Sequence, residues 1–397
     1  MSESLSPTGE SPKKIRLLTI IPGLGGGGAE RALVNLLRHL DGGRFQVQLA
    51  AFEATGPFRR EVPVEIPVHD LNGRRQYDVR LVVRLARLLH SERPDAVLSV
   101  MRYANVVALL AARLSRFNGP VIVNEQNNPS AEFEQFGGRW FKSLALRYLY
   151  PRAGKITAIS QGIATELASR WGVPGDKVVV IPNPVDVAQI RHLAQEPSPH
   201  PWLTDKQIPV IIGVGRLHPQ KDFGLLVRAF RLVRNAQATR LIILGEGPER
   251  DLLENEVQQL GLASDVLLPG FQDNPFAWMG RADAFVLSSR YEGFGNVIVE
   301  AMALGRPVIA TNCPFGPGEI IGDNVSGLLV PVGDEQALAR AITRVLNEPN
   351  LSVRLAEAGR ARSEDFAPER IAVQYEHLLV EAYEKHAHSR HHRHLSA

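Results

Sequence analysis

The sequence predicts an α/β fold in a chain long enough for two domains. Three observations carry this. Short apolar runs suited to buried parallel strands, such as Ile15–Ile21 and IPVIIGVG, recur along the chain, each followed by a glycine-rich turn and then a segment of helical apolar spacing. Hydrophobic residues make up 44% of the chain but aromatics only 7%, with Ala, Leu, Val and Gly plentiful, as such layered folds require. At 397 residues the chain exceeds what one hydrophobic core normally serves.

The elements follow in order. The first fourteen residues, MSESLSPTGESPKK, are polar, lack the apolar core of a signal peptide and read as a disordered lead-in. Ile15–Ile21 is the first strand, PGLGGGGAE its turn and Arg31–Leu40 an amphipathic helix. Gly23, Gly25 and Gly28 satisfy the spacing of a dinucleotide fingerprint, and Glu53 closes the next strand-like run, Gln46–Phe52, at about the expected distance. An NAD-binding domain is therefore one reading and a ligand-free tight turn another, although four successive glycines exceed the needs of a turn. Asp78–His90 carries Arg80, Arg84 and Arg87 opposite an apolar face, as a surface helix does. DAVLSV and Ala104–Leu114 form the next strand and helix, which puts Arg102 and Tyr103 at a strand end facing a cleft, with Asn105 just inside the helix. After strand Val121–Val123 comes a polar loop with Glu125, Gln126 and Asn127, suited to sugar hydroxyls or equally to a solvated turn. Gly138–Lys155 interleaves Arg139, Lys142, Arg147, Arg152 and Lys155 with Trp140, Phe141, Tyr148 and Tyr150, a pattern that fits an anionic membrane surface or a packed helix with snorkelling arginines.

ITAIS and a helix from Gln161 continue the first unit, and the proline-rich Pro197–Pro209 reads as a linker. IPVIIGVG opens a second Rossmann-like unit and leads into GRLHPQKDF, where Arg216 and Lys221 put two cations near a strand end. LIILGEGPERDLL and DVLLPGFQDN continue it. Ala284–Asn312 is a β-loop-α-β unit in which Asn296 reads as the helix N-cap, leaving the amides of Val297 and Ile298 free at the positive helix end, where a phosphate can sit. Glu292 and Glu300 lie on either side of Gly293, Phe294 and Gly295, placed to hold sugar and ribose hydroxyls or merely to offset a helix dipole. GLLVPVGD and three helices finish the chain, the last over Pro368–Lys385, and the histidine-rich 386–397 reads as an unstructured tail.

Composition limits the function. Met1–Asn183 holds 24 Lys and Arg against 16 Asp and Glu, net +8, which leaves 21 against 26, net −5, for the remainder. A basic half joined to an acidic half suits an anionic partner on one side, or ordinary arginine-rich solubility. The single cysteine, Cys313, excludes an internal disulfide and points to a reducing compartment, hence the cytoplasm. No stretch approaches the ~20 apolar residues that cross a bilayer.

Glu292 and Glu300, with seven residues between them, and the surrounding EGFGNVIVEAMALGRPVIAT resemble the paired-glutamate signature of the retaining glycosyltransferase family 4, particularly its bacterial surface-polysaccharide and lipopolysaccharide members. The resemblance covers nearly the whole chain. It implies a GT-B fold, two Rossmann-like domains facing each other across a cleft: an acceptor-side domain over 15–190, a nucleotide-sugar domain over 208–367, and a last helix, 368–385, crossing back to the first. It implies catalytic roles for Glu292, Arg216 and Lys221, and donor binding by Glu300, Gly293, Phe294, Gly295, Asn296, Val297, Gly270 and Phe271. GLGGGGAER is similar to the family's N-terminal glycine loop, which puts Gly26 and Gly27 across the cleft from the donor phosphates. Many members carry a histidine near Met101–Tyr103; this chain has none there, and Arg102, Tyr103, Asn105 and Glu125 are the acceptor-side candidates.

The function expected is transfer of a hexose or N-acetylhexosamine from a nucleotide-sugar, UDP-linked, to a growing lipid-linked glycan, with retention of configuration and at the inner face of the cell membrane. No Asp-x-Asp triplet exists, so neither a metal nor another cofactor is expected, and nucleic acid is not an expected partner. An NAD-dependent oxidoreductase leaves the glutamate pair without a task. A phosphorylase-like enzyme lacks an identifiable pyridoxal-phosphate lysine, and a non-catalytic glycan-binding module remains the third alternative.

Overall fold

The computed structural model describes residues 13–73, 78–128, 130, 146–198, 200–204 and 207–395. Two all-parallel sheets form its frame. The first contains β1 (Ile15–Gly23), β2 (Phe45–Glu53), β3 (Val68–Asp70), β4 (Ala96–Val100), β5 (Val121–Glu125), β6 (Lys155–Ala158) and β7 (Val178–Val180), in the order β3-β2-β1-β4-β5-β6-β7. The second contains β8 (Val210–Val214), β9 (Arg240–Leu244), β10 (Val266–Gly270), β11 (Ala284–Leu287), β12 (Val308–Thr311) and β13 (Leu328–Val330), in the order β10-β9-β8-β11-β12-β13. The inner strands are apolar on both faces because helices cover both, the condition under which parallel sheets form. This is the doubly wound α/β class, present twice.

In each sheet the strand order reverses once, between β1 and β4 and between β8 and β11. Loops leaving the carboxyl ends of those strands part to opposite faces and open a crevice, where ligands of this class bind. The chain supplies its least ordinary loops at these four ends: Leu24–Gly27 after β1, Met101 after β4, Gly215–Asp222 after β8 and Ser288–Gly295 after β11. The helices α1 (Gly28–His39), α2 (Arg80–Glu92), α3 (Arg102–Leu114), α4 (Gln161–Trp171) and α5 (Val187–Leu193) follow in the first half of the chain. Arg84 of α2 donates to the carbonyls of Leu71 and Asn72, so one of its predicted surface arginines fastens a loop.

The crossing between halves lies at Ile181–Asp186. Asp186 caps α5 by accepting from the Gln189 amide at 2.8 Å, and α5 already packs on the second half, with Arg191 donating to the Ala303 carbonyl at 3.0 Å. The proline-rich stretch beyond it is no free linker. Its short helix α6 (Pro201–Thr204) is pinned by Trp202, which meets His200 edge-on at 5.2 Å and lies under the Arg240 guanidinium at 4.7 Å.

The second half continues through α7 (Phe223–Ala236), α8 (Arg250–Gln259), α9 (Phe276–Met279), α10 (Asn296–Ala303), α11 (Pro317–Ile320), α12 (Glu335–Asn347), α13 (Pro349–Ser363) and α14 (Pro368–Leu395). α14 packs on the first half: Ile371, Tyr375, Leu378 and Leu379 join the core of Leu17, Leu33 and Leu37, and Glu376 accepts from the Asp41 amide at 2.8 Å. Sequence patterning places the end of this helix at Lys385 with a structureless tail beyond it, but the backbone stays helical to Leu395. The segment HAHSRHHRH contains neither glycine nor proline, so an established helix propagates through it at little cost per residue.

Candidate active site

Ser288–Gly295 is the centre of the cleft. β11 ends at Leu287, and Ser289, fully buried, donates its hydroxyl to Glu292 Oε1 at 2.6 Å. Lys221 Nζ meets the same oxygen at 2.5 Å, so the carboxylate of Glu292, only 6% exposed, carries a charged partner and a hydroxyl donor. The Lys221 stem lies over Gly215, where an added Cβ would stand 3.3 Å from Lys221 Cε. Arg216 is exposed, and its charge acts on Tyr291, the neighbour of Glu292 in sequence. Cys313, buried next to them, has its thiol pushed up to about 12 by burial and by the Glu292 charge.

Asn296 does not cap α10. The cap is Gly295, at φ 99° in the left-handed region where a glycine costs least, and Asn296 is the first helical residue. Its side chain instead joins the two halves: Nδ2 donates to the Gly28 carbonyl at 3.2 Å, and Oδ1 accepts from Asn183 Nδ2 at 3.2 Å. The Ile298 amide is already bonded to the Gly295 carbonyl at 2.9 Å, which leaves the amides of Asn296 and Val297 at the positive helix end. Gly28 makes the approach easy, since a Cβ there would stand 3.0 Å from Asn296 Nδ2 and the amide would have to give by a few tenths of an ångström. Gly26, at φ 104°, and Gly27, the N-cap of α1, lie just before that contact. Glu53, the acid of the fingerprint reading, ends at the surface, accepting from Thr55 Oγ1 at 2.9 Å.

Glu300 sits one turn into α10, 8% exposed. Burial pushes its carboxyl above the usual range, and the nearby Arg31 and then Lys221 oppose that. Arg31 of α1 reaches Glu300 Oε1 at 3.4 Å, 269 residues away in sequence. Gly270, at φ 85°, closes β10, and Phe271 stands 69% exposed at the rim.

The acceptor-side candidates are placed differently from expectation. Arg102 forms a buried bidentate pair with Glu125, Nη2 to Oε1 at 2.9 Å and Nε to Oε2 at 3.2 Å. Tyr150 donates to Glu125 Oε2 at 2.7 Å, and Asn105 donates to Tyr150 and to the Asn124 carbonyl. Asn105 and Glu125 are fully buried, and Tyr103 packs edge-on against Phe52 at 5.2 Å. Arg102, Glu125 and Tyr150 thus hold one another below the surface, as a buried charge persists only when paired and hydrogen-bonded. Besides Arg31, two amide side chains face the other half from this side: Gln126 and Asn183 exchange hydrogen bonds at 3.0 Å each, and Gln126 also donates to Asn124. Ser289, Asn183 and Arg31 escape sequence reasoning. A serine pair before the glycine loop was the only local signal, and it spoke for Ser289 alone.

A third contact crosses the cleft farther out. Glu319 of α11 accepts from the backbone amides of Gln161 and Gly162 at 2.5 and 2.9 Å, at the start of α4. The CPFGPGE loop thus meets the first half directly. Of the basic and aromatic stretch 138–155, Arg139, Trp140, Phe141 and Lys142 lie outside the described residues, while Arg147 and Tyr148 are exposed and Tyr150 is core. Among the described residues no helix is long and apolar enough to cross a membrane.

Comparison with known proteins agrees with this geometry. The family model described as Glycosyltransferase Family 4 matches residues 26–189, and that described as Glycosyl transferases group 1 matches residues 195–362. The N-acetylgalactosamine-N,N'-diacetylbacillosaminyl-diphospho-undecaprenol 4-alpha-N-acetylgalactosaminyltransferase of Campylobacter jejuni is 29% identical over 370 residues, 90% of this chain and 97% of that protein. An amylovoran biosynthesis glycosyltransferase of Erwinia amylovora is 25% identical, over 92% of this chain and 99% of its own length. Among solved structures, HepE of Anabaena in complex with UDP superposes with a TM-score of 0.75 at 25% identity, covering 93% of this chain and all of that one. With both halves matched in turn and one fold shared along nine-tenths of its length, the chain belongs to glycosyltransferase family 4, of GT-B architecture.

Proposed function

We propose that this glycosyltransferase is a retaining, metal-independent enzyme that moves a hexose or N-acetylhexosamine from a UDP-sugar to a growing lipid-linked glycan of the polysaccharide or lipopolysaccharide kind. The observation that carries the reading is the Lys221–Glu292 pair standing before the positive end of α10, with Glu300 one turn further on. Breaking the anomeric bond puts negative charge on the departing diphosphate. Lys221, Arg216 and the amides of Asn296 and Val297 form a cationic and dipolar cradle for that charge, held in place before the reaction begins. Glu292, relieved of Lys221 when the diphosphate takes its place, accepts hydrogen bonds from the sugar hydroxyls. Glu300 accepts from the ribose diol, Gly270 and Phe271 border the base, and Gly26 and Gly27 leave room for the phosphates opposite.

The UDP assignment is supported by the HepE complex, and the lipid-linked acceptor by the name of the Campylobacter relative. Arg147 and Arg152, exposed on the basic half, would hold the enzyme peripherally at the inner face of the cell membrane, each adding about 1 kcal/mol near an anionic leaflet, while Lys155 is turned to Glu381 at 3.7 Å. A panel of UDP-, GDP- and ADP-sugars tested by thermal shift and then by turnover decides the donor. NMR of the product anomer decides the stereochemistry. Stabilisation only by GDP- or ADP-sugars, or an inverted product, would overturn the corresponding part of the reading.

A further inference from the structure

Arg31 reads from the sequence as one more polar position on an amphipathic helix. In the structure its guanidinium lies between two rings, 5.4 Å from the centroid of Phe58 in the first half and 5.5 Å from that of Phe276 in the second. From there it reaches Glu300 Oε1 at 3.4 Å. A small cavity of about 90 Å³ between the halves is bounded by Arg31, Glu300, Asn296 and Phe276.

We propose that Arg31 is a positioning residue of the donor site, reaching across the cleft to hold the Glu300 carboxylate as an anion aimed at the ribose hydroxyls. The inference rests on the assignment of Glu300 to the ribose given above. A diol presents two donors, and an ionised carboxylate accepts both, whereas a protonated one gives up acceptor capacity. Glu300 is buried deeply enough that desolvation favours its neutral form, so the site needs a fixed counter-charge. Lys221 also acts on Glu300, but its ammonium is bonded to Glu292 here and turns to the diphosphate in the reading above; the remaining charged groups bounding the cavity, Glu61, Asp186 and Asp273, are acidic. Arg31 is therefore the cation in direct contact with Glu300. Two flanking rings fix its plane, a placement a lysine ammonium would not keep.

The test is calorimetric titration with UDP-glucose, whose diphosphate does not titrate in this range, from about pH 5.5 to about 8.5. Wild type, Arg31→Gln, Arg31→Lys and Glu300→Gln are compared. Removing the Arg31 charge moves Glu300 further above its ordinary range, so its protonated form persists to higher pH and affinity is lost on the acid side first. Arg31→Gln is expected to bind roughly tenfold more weakly at the acid end and to recover toward wild type at the alkaline end, with Arg31→Lys between the two. Glu300→Gln should be weak at every pH. If Glu300→Gln binds like wild type, the ribose assignment itself falls. If Glu300→Gln is weak but Arg31→Gln is unchanged, or weakened equally at every pH, Arg31 is only a strut between the halves and this proposal is overturned.

Discussion

At Gly293 the two halves approach each other backbone to backbone, with no strain in the glycine's own φ. A Cβ added there would lie 2.4 Å from the carbonyl oxygen of Gln126 across the cleft, and real Cβ contacts do not fall below 3.0 Å. One side must therefore retreat by at least the 0.6 Å between those values. Gln126 is fixed by hydrogen bonds to Asn124 and Asn183, so the movement falls on the Ser288–Gly295 loop, which carries Glu292. Displacing a reacting group by about 1 Å costs on the order of a hundredfold. Gly293→Ala is accordingly expected to lower kcat/KM by about tenfold to a hundredfold, or roughly 1.4–2.8 kcal/mol of barrier. Its melting temperature should stay near wild type, because the retreat falls on the cleft side of the loop while Phe294 stays anchored in the core, edge-on to Phe366 at 5.4 Å. Steady-state kinetics beside calorimetric melting measures both. Unchanged turnover would refute the close approach as a catalytic constraint, and a large fall in melting temperature would show that it serves folding instead.

Three further outcomes are expected. Arg216→Ala and Lys221→Ala should lower kcat more than they raise the KM for donor, since both meet charge that grows in the transition state; affinity loss with intact turnover would contradict that role. Turnover should persist in EDTA, because fixed cations and a helix terminus meet the diphosphate charge; loss on chelation with rescue by Mg²⁺ would assign that task to a metal. Glu125→Ala should strand the buried Arg102 guanidinium and cost about 3–5 kcal/mol of stability in denaturant unfolding, whereas a stable variant with a raised acceptor KM would return Glu125 to the acceptor site.

The sequence by itself determined the elements and the strand-end loops at which the candidate site sits. Apolar runs such as VIIGV and AFVL, too short for helices and flanked by turn residues, suit interior parallel strands, and glycine loops followed by helical spacing mark their carboxyl ends, where such folds bind ligands. Glu292 and Glu300 were legible for the same reason, since both lie within one local strand-loop-helix unit. What only the tertiary structure decided is which distant group each side chain meets. Asn296 has a good capping residue's chemistry, yet Gly295 takes the cap and Asn296 faces Gly28, 268 residues away in sequence. Arg102 and Glu125 look like cleft residues by position, but the pitch of α3 and the register of β5 turn them inward onto each other. Arg31 looks like solvent-facing charge and lies between rings from both halves. Local periodicity records whether a residue points toward a core or away from it, while a contact between halves depends on how two sheets meet, and no short stretch of sequence contains that information.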